Sequence, residues 1–173
     1  KTQLSGLIDA ERVLKAIAQF ELTLVLANAK YDRVQAGADT FNLQEQKGYA
    51  VFKQHCARCH TEPFFTNFGF ENNGLPPDTT LNDWGRMRVT HRAADSLKFK
   101  VPSLRNIEFS YPYMHDGRFK KLREVLGHYT QTGLLTPKIA LSPAEKTDLT
   151  AFLLTLSDRQ FLLNPDFSFP KNE

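Results

Sequence analysis

The sequence predicts a mainly α-helical fold with long irregular loops. Four stretches repeat their apolar residues at helical spacing, and two of these open on a capping box. No stretch alternates in the manner of a β-strand. The two cysteines of the chain fall together in Cys56-Ala57-Arg58-Cys59-His60, at the end of an expected helix.

Residues 8–26 form the first expected helix, with Ile8, Val13, Leu14, Ile17, Ala18, Phe20, Leu22, Val25 and Leu26 giving a broad apolar face. Residues 27–40 are polar, contain Gly37 and are expected to be a loop. Asn42 caps a second helix from about Leu43, and Glu45 completes its capping box. Residues 61–98 have little periodicity but carry Phe64, Phe65, Phe68, Phe70 and Trp84 among Pro63, Gly69, Gly74, Pro76, Pro77 and Gly85. So long a loop in a compact domain points to function; wrapping a large planar cofactor would give its aromatic residues a burial partner. Residues 99–117 are also irregular, with Pro102, Pro112 and an Asp116-Gly117 turn signal. The third helix covers 121–129, where Leu122, Val125, Leu126 and Tyr129 share one stripe. The last covers 143–156, capped by Ser142, with Pro143 in its first turn and Glu145 closing the box. The aromatic tail after Asp158 is expected to pack back on the surface.

A length of 173 residues fits one domain, 1–173. Hydrophobic residues at 41% and charged residues at 24% are ordinary globular usage and argue against disorder. A net charge of +3, without basic blocks, gives no support to nucleic-acid binding. No uncharged apolar run approaches the length of a membrane span. The opening Lys1-Thr2-Gln3-Leu4 carries no signal-peptide pattern and suggests a mature or trimmed chain.

The spacing C-x-x-C-H is the attachment pattern of c-type haem. In that reading Cys56 and Cys59 form thioethers with the porphyrin and His60 is the proximal iron ligand. A redox dithiol would need a thioredoxin-like βαβ context. Zinc would need two further ligands, for which His91, His115 and His128 are available without a recognisable pattern. Covalent haem implies export, because the thioethers are made outside the bacterial cytoplasm. Residues 1–41 then form a leading helix and loop, and 42–173 the haem-binding core. For the distal side of the iron, Met114 serves equally as a thioether ligand or as a core methionine. His115, beside Asp116, reads as a hydrogen-bonded neighbour of the site. Tyr129 reads as a core aromatic with a satisfied hydroxyl, and His128 as an edge residue.

Three runs add a resemblance: Phe99-Lys100-Val101-Pro102-Ser103-Leu104-Arg105-Asn106, then Tyr111-Pro112-Tyr113-Met114-His115-Asp116-Gly117-Arg118-Phe119, then Leu122 to His128-Tyr129. With Ala16-Ile17-Ala18-Gln19-Phe20-Glu21 and Lys30-Tyr31-Asp32-Arg33, they resemble the C-terminal haem domain of bacterial di-haem cytochrome c peroxidases, closest to the MauG-like branch. The resemblance implies a cytochrome c-like helical domain wrapped around one covalent haem c. It moves the distal ligand from Met114 to Tyr129, because the MauG-like branch carries tyrosine on the helix after the H-D-G turn where peroxidases carry methionine. It also implies calcium held by the backbone carbonyls of Ser110 and Pro112, and Arg105 close to the haem, paired with a propionate. Two departures stand out. The N-terminal domain with the peroxide-reacting haem is absent from this chain, and Gln54 occupies the position of a MauG tryptophan.

The expected function is electron transfer within a peroxidase that reduces hydrogen peroxide, with a small redox protein as donor, in the periplasm or another exported location. Arg58, Arg105, Arg118, Lys120 and Lys121 would dock an acidic donor. The alternatives are a stand-alone mono-haem electron carrier using Met114, a MauG-like oxidase of a protein substrate, and a haem-free binding module.

Overall fold

The computed structural model describes residues 8–131 and 138–167. Lys1–Leu4, on which the expectation of a trimmed chain rests, and the end of the aromatic tail lie outside them. Helices dominate: α1 (Ala10–Thr23), α2 (Lys30–Gln35), α3 (Leu43–His55), α4 (Met87–Thr90), α5 (Leu122–Gln131), α6 (Pro143–Leu154) and α7 (Arg159–Leu162). Two short 3₁₀ turns, Ala93–Asp95 and Pro165–Phe167, complete the helical content among the described residues.

The expected caps set the helix starts. Asn42 accepts from the Glu45 N–H at 2.9 Å while Glu45 accepts from the Asn42 N–H at 2.8 Å. Ser142 and Glu145 repeat the arrangement at α6. Helix α2 falls inside residues 27–40, where a loop was expected. It is less than two turns long, and the Asp32 carboxylate reaches back to the Ala29 N–H at 3.0 Å. A small antiparallel pair is a second difference: β1 (Phe70–Glu71) and β2 (Phe99–Lys100), registered Phe70 to Lys100 and Glu71 to Phe99. Two residues are too few to show alternation in a sequence, yet the pair fastens the two irregular segments together.

The core sits between α3 and α6, the most extensively packed pair of elements. Their approach depends on Gly48, where a Cβ would overlap the backbone carbonyl of Asp148 and crowd Phe152. Phe52, Phe65, Leu149, Phe152 and Leu156 are fully buried, each burial contributing about 1.5–3 kcal/mol. Phe152 stacks on Tyr49 at 4.9 Å between ring centroids and meets Phe52 at 5.1 Å. Helix α1 is different. Its apolar face exists as expected but is uncovered: Val13, Leu14, Ile17 and Phe20 are exposed, and none of its residues is buried.

Candidate haem site

Helix α3 ends where the cysteine motif begins. Cys56 caps it, donating its N–H to the Phe52 carbonyl at 2.8 Å, and the next turn closes with His60 N–H on the Cys56 carbonyl at 2.9 Å. Both cysteines are free thiols, and the tight turn holds them beside the imidazole. The His60 ring bonds through Nδ1 to the Phe65 carbonyl at 3.0 Å. A carbonyl only accepts, so Nδ1 carries the proton and Nε2 keeps its lone pair. Burial holds this imidazole below its ordinary pKa, against the raising effect of the Phe65 and Pro102 carbonyls. It is therefore a neutral nitrogen donor with a fixed ring.

Two adjoining cavities, of about 190 Å³ and about 420 Å³, share Cys59, His60, Leu104, Ile107 and Val125 as walls. The smaller also touches Cys56, Leu126, Leu153 and Tyr129. The larger touches Asn73, Arg105, Ser110, Pro112, Met114 and His115. Tyr129 thus lies on the same cavity as both thiols and the imidazole. Burial raises its phenol pKa; a side-chain hydrogen bond with Asn73 acts in the opposite direction.

The competing readings of the motif fare poorly. Burial, with the neighbouring Cys59, pushes the Cys56 thiol up to about 12, whereas reactive dithiols are depressed. No thioredoxin-like βαβ unit is present among the described residues, whose only sheet is the β1–β2 pair. Nor do the described residues place three or more His, Cys, Asp or Glu side chains to hold a metal ion. Two thiols, one neutral imidazole and cavity walls of leucine, isoleucine and valine fit a covalent porphyrin.

The other expected residues line the larger cavity or its surroundings. Arg105 grips Asp32 with both terminal nitrogens, at 2.9 and 2.8 Å, and bonds the Pro63 carbonyl through Nε and Nη2. Its guanidinium thus braces the loop, and its planar fork matches the carboxylate at two points. His115 lies flat on Phe99 at 3.6 Å and acts on Asp116 through charge, while the hydrogen bond to that carboxylate comes from Arg118 at 2.7 Å. Of the basic residues expected to dock a donor, Arg105 and Arg118 are thus engaged internally, while Arg58, Lys120 and Lys121 are exposed. Met114 has a left-handed backbone (φ 72°) and its sulfur accepts from Asn73 Nδ2 at 3.4 Å. Ser110 and Pro112 are exposed residues flanking a cis Tyr111–Pro112 bond at the rim of the larger cavity. Asn73 itself gave no sequence signal, since its partners stand 41 and 55 residues away.

No protein-family model matches the chain. The cytochrome c551 peroxidase of Nitrosomonas europaea is 36% identical over 167 residues, covering 94% of this chain and 48% of that protein. The methylamine utilization protein MauG of Methylorubrum extorquens is 36% identical over 161 residues, covering 86% of this chain and 45% of that protein. Among solved structures, a MauG-like protein associated with microbial copper homeostasis superimposes with a TM-score of 0.79 at 27% identity, over 96% of this chain and 58% of that one. The di-haem peroxidase BthA of Burkholderia thailandensis shares the fold, with a TM-score of 0.73 at 19% identity. The chain spans about half the length of the curated relatives it matches. These likenesses, with a cytochrome c-like helical fold and a haem-binding motif on its cavity, place the chain in the family of di-haem cytochrome c peroxidases and MauG proteins.

Proposed function

We propose that the chain is the C-terminal, electron-transferring haem domain of a di-haem peroxidase that reduces hydrogen peroxide with electrons from an external donor. The observation that carries this reading is the shared cavity of Cys56, Cys59, His60 and Tyr129. In it, Cys56 and Cys59 bond covalently to one haem c, His60 is the proximal ligand through Nε2, and Tyr129 is the distal ligand. When bound, the haem supplies one-electron exchange; the protein sets the ligand identity, burial and orientation that tune it.

Each residue has a physical task. The Phe65 carbonyl fixes the His60 ring and increases its donor strength. Leu104, Ile107, Val125 and Leu126 give the cavity apolar walls, which strengthen charge interactions beside them. A phenolate oxygen is a hard anionic donor and favours ferric iron, the opposite of a thioether. The carbonyls of Ser110 and Pro112 supply part of a calcium site, with a further ligand from the preceding domain. A preceding domain carries the peroxide-reacting haem, and a small redox protein delivers electrons. The location is periplasmic or otherwise exported, as covalent haem attachment requires.

Intact mass and absorption spectra of the chain made with its attachment machinery test the reading. One covalently added haem is expected, with a ferric spectrum and potential that change in Tyr129→Phe. A colourless chain with its two sulfurs joined to each other overturns the haem assignment. An unchanged Tyr129→Phe spectrum overturns the distal ligand.

A further inference from the structure

Of the nine asparagines of the chain, only Asn73 is followed by a glycine. That pair is chemically labile. A glycine carries no side chain to shield its backbone nitrogen, so the Gly74 nitrogen can attack the carboxamide carbon of Asn73. In the folded chain each reacting group is bonded elsewhere. The Gly74 N–H donates to Asn72 Oδ1 at 2.9 Å. The Asn73 carboxamide is tied at both ends: its oxygen accepts from the Leu75 N–H at 3.2 Å, and its nitrogen donates to the Met114 sulfur at 3.4 Å. The Asn73 backbone carbonyl accepts from His128 Nε2 at 2.9 Å, which fastens the loop after β1 to α5.

These contacts do not act alike. The Leu75 N–H draws electron density from the carboxamide carbon and makes it a better target. The Asn72 contact acts on the nucleophile, because it must break before the Gly74 nitrogen can give up its proton. Asn72 is exposed, Asn73 half-buried and Gly74 buried. The outermost side chain of the three therefore restrains the inner two.

We propose that Asn73 is a site of spontaneous conversion to aspartate and isoaspartate, and that Asn72 is the residue that restrains it. Water is the only co-reactant. The Gly74 nitrogen bonds to Asn73 Cγ and loses its proton, the Cγ–Nδ2 bond breaks, and ammonia leaves a five-membered succinimide. Water opens that ring at either carbonyl, and nothing is oxidised or reduced. Opening at Cγ leaves aspartate. Opening at the backbone carbonyl sends the main chain through the former side-chain carbon. The carbonyl that accepted from His128 becomes a free carboxylate, and the loop walling the larger cavity is one bond longer. The reaction needs no haem, so its failure leaves the haem reading untouched.

The test incubates the haem-loaded chain at mildly alkaline pH as wild type, Asn72→Ala, Asn72→Asp and Asn73→Gln. The peptide carrying residue 73 is followed by mass and by isoaspartate content, and wild type in urea gives the rate of the released pair. Folded wild type converts more slowly than in urea. Asn72→Ala converts about two- to tenfold faster than folded wild type, as loss of one hydrogen bond predicts. Asn72→Asp, whose carboxylate still accepts from the Gly74 N–H, stays at or below the wild-type rate, and Asn73→Gln does not convert. No conversion at residue 73 in urea overturns the site. Equal rates in wild type and Asn72→Ala overturn the restraint. Where Asn72→Ala reaches the urea rate because the loop has come apart, Asn72→Asp decides: a rate as fast as that of the alanine variant overturns the role of Asn72.

Discussion

The two ends of α3 are held in different ways. Along its length the helix is clamped to α6 by rings and aliphatic side chains, with Phe52 and Phe152 fully buried. Beyond its C-terminal end, the chain that walls the site is held by polar side chains gripping distant backbone. Thr66 Oγ1 donates to the Val101 carbonyl at 2.7 Å, Ser103 Oγ to Phe64 at 2.6 Å, Arg105 to Pro63, and Tyr113 to Ile107 at 2.9 Å. Apolar burial is non-directional and supplies most of the stability. A single hydrogen bond contributes about 0.5–1.5 kcal/mol but fixes direction. One end of the molecule is built to stay folded, and the other to place atoms.

Substitutions can break or sharpen that contrast. Phe152→Ala should cost about 3–5 kcal/mol in a denaturant titration, as a large cavity in the α3–α6 core. Gly48→Ala should cost about 1–3 kcal/mol, because the helices must separate to admit a methyl group. Ser103→Ala, on the loop side, should cost only about 1 kcal/mol; a loss equal to that of Phe152→Ala would erase the distinction. Proton linkage probes the ring side further. Tyr31 and Tyr49 both donate to Glu62, at 2.8 and 2.9 Å. Burial first, and then this carboxylate, raises both phenols, Tyr49 from 10.0 to about 12. The folded state therefore keeps its protons where the unfolded chain has lost them. Stability from this source is intact below pH 10 and declines as pH rises toward about 12; Tyr49→Phe should flatten the slope. The smallest change is on α1, where Leu14→Ser should alter stability by less than about 0.5 kcal/mol, since that side chain is exposed.

What the sequence made legible follows the range of the interactions. Asn42, Glu45, Ser142 and Glu145 act within three residues, and they located the starts of α3 and α6 correctly. The motif is as local, and its two thiols and imidazole line one cavity. Helix α2 escaped because a turn and a half leaves no period to read, and its partner contact, Arg105 on Asp32, spans 73 residues. The same long pairing gave Arg105 a task that its neighbours in the chain do not disclose. Asn73 was invisible for the related reason that an asparagine in a glycine-rich loop already has an adequate local explanation. On α1 the periodicity placed the helix and its apolar face, but period 3.6 says which residues share a face, not that anything covers it.

Phe65 does two jobs at once. Its ring is fully buried against Tyr31 and Phe52, while its carbonyl, set by a left-handed backbone (φ 54°), aims the His60 imidazole. Mechanical integrity and the aim of that ring therefore share a single hinge. A substitution that loosens the hydrophobic interior there also lets the imidazole turn, so the chain cannot drift in robustness at this position without moving the nitrogen that faces the cavity.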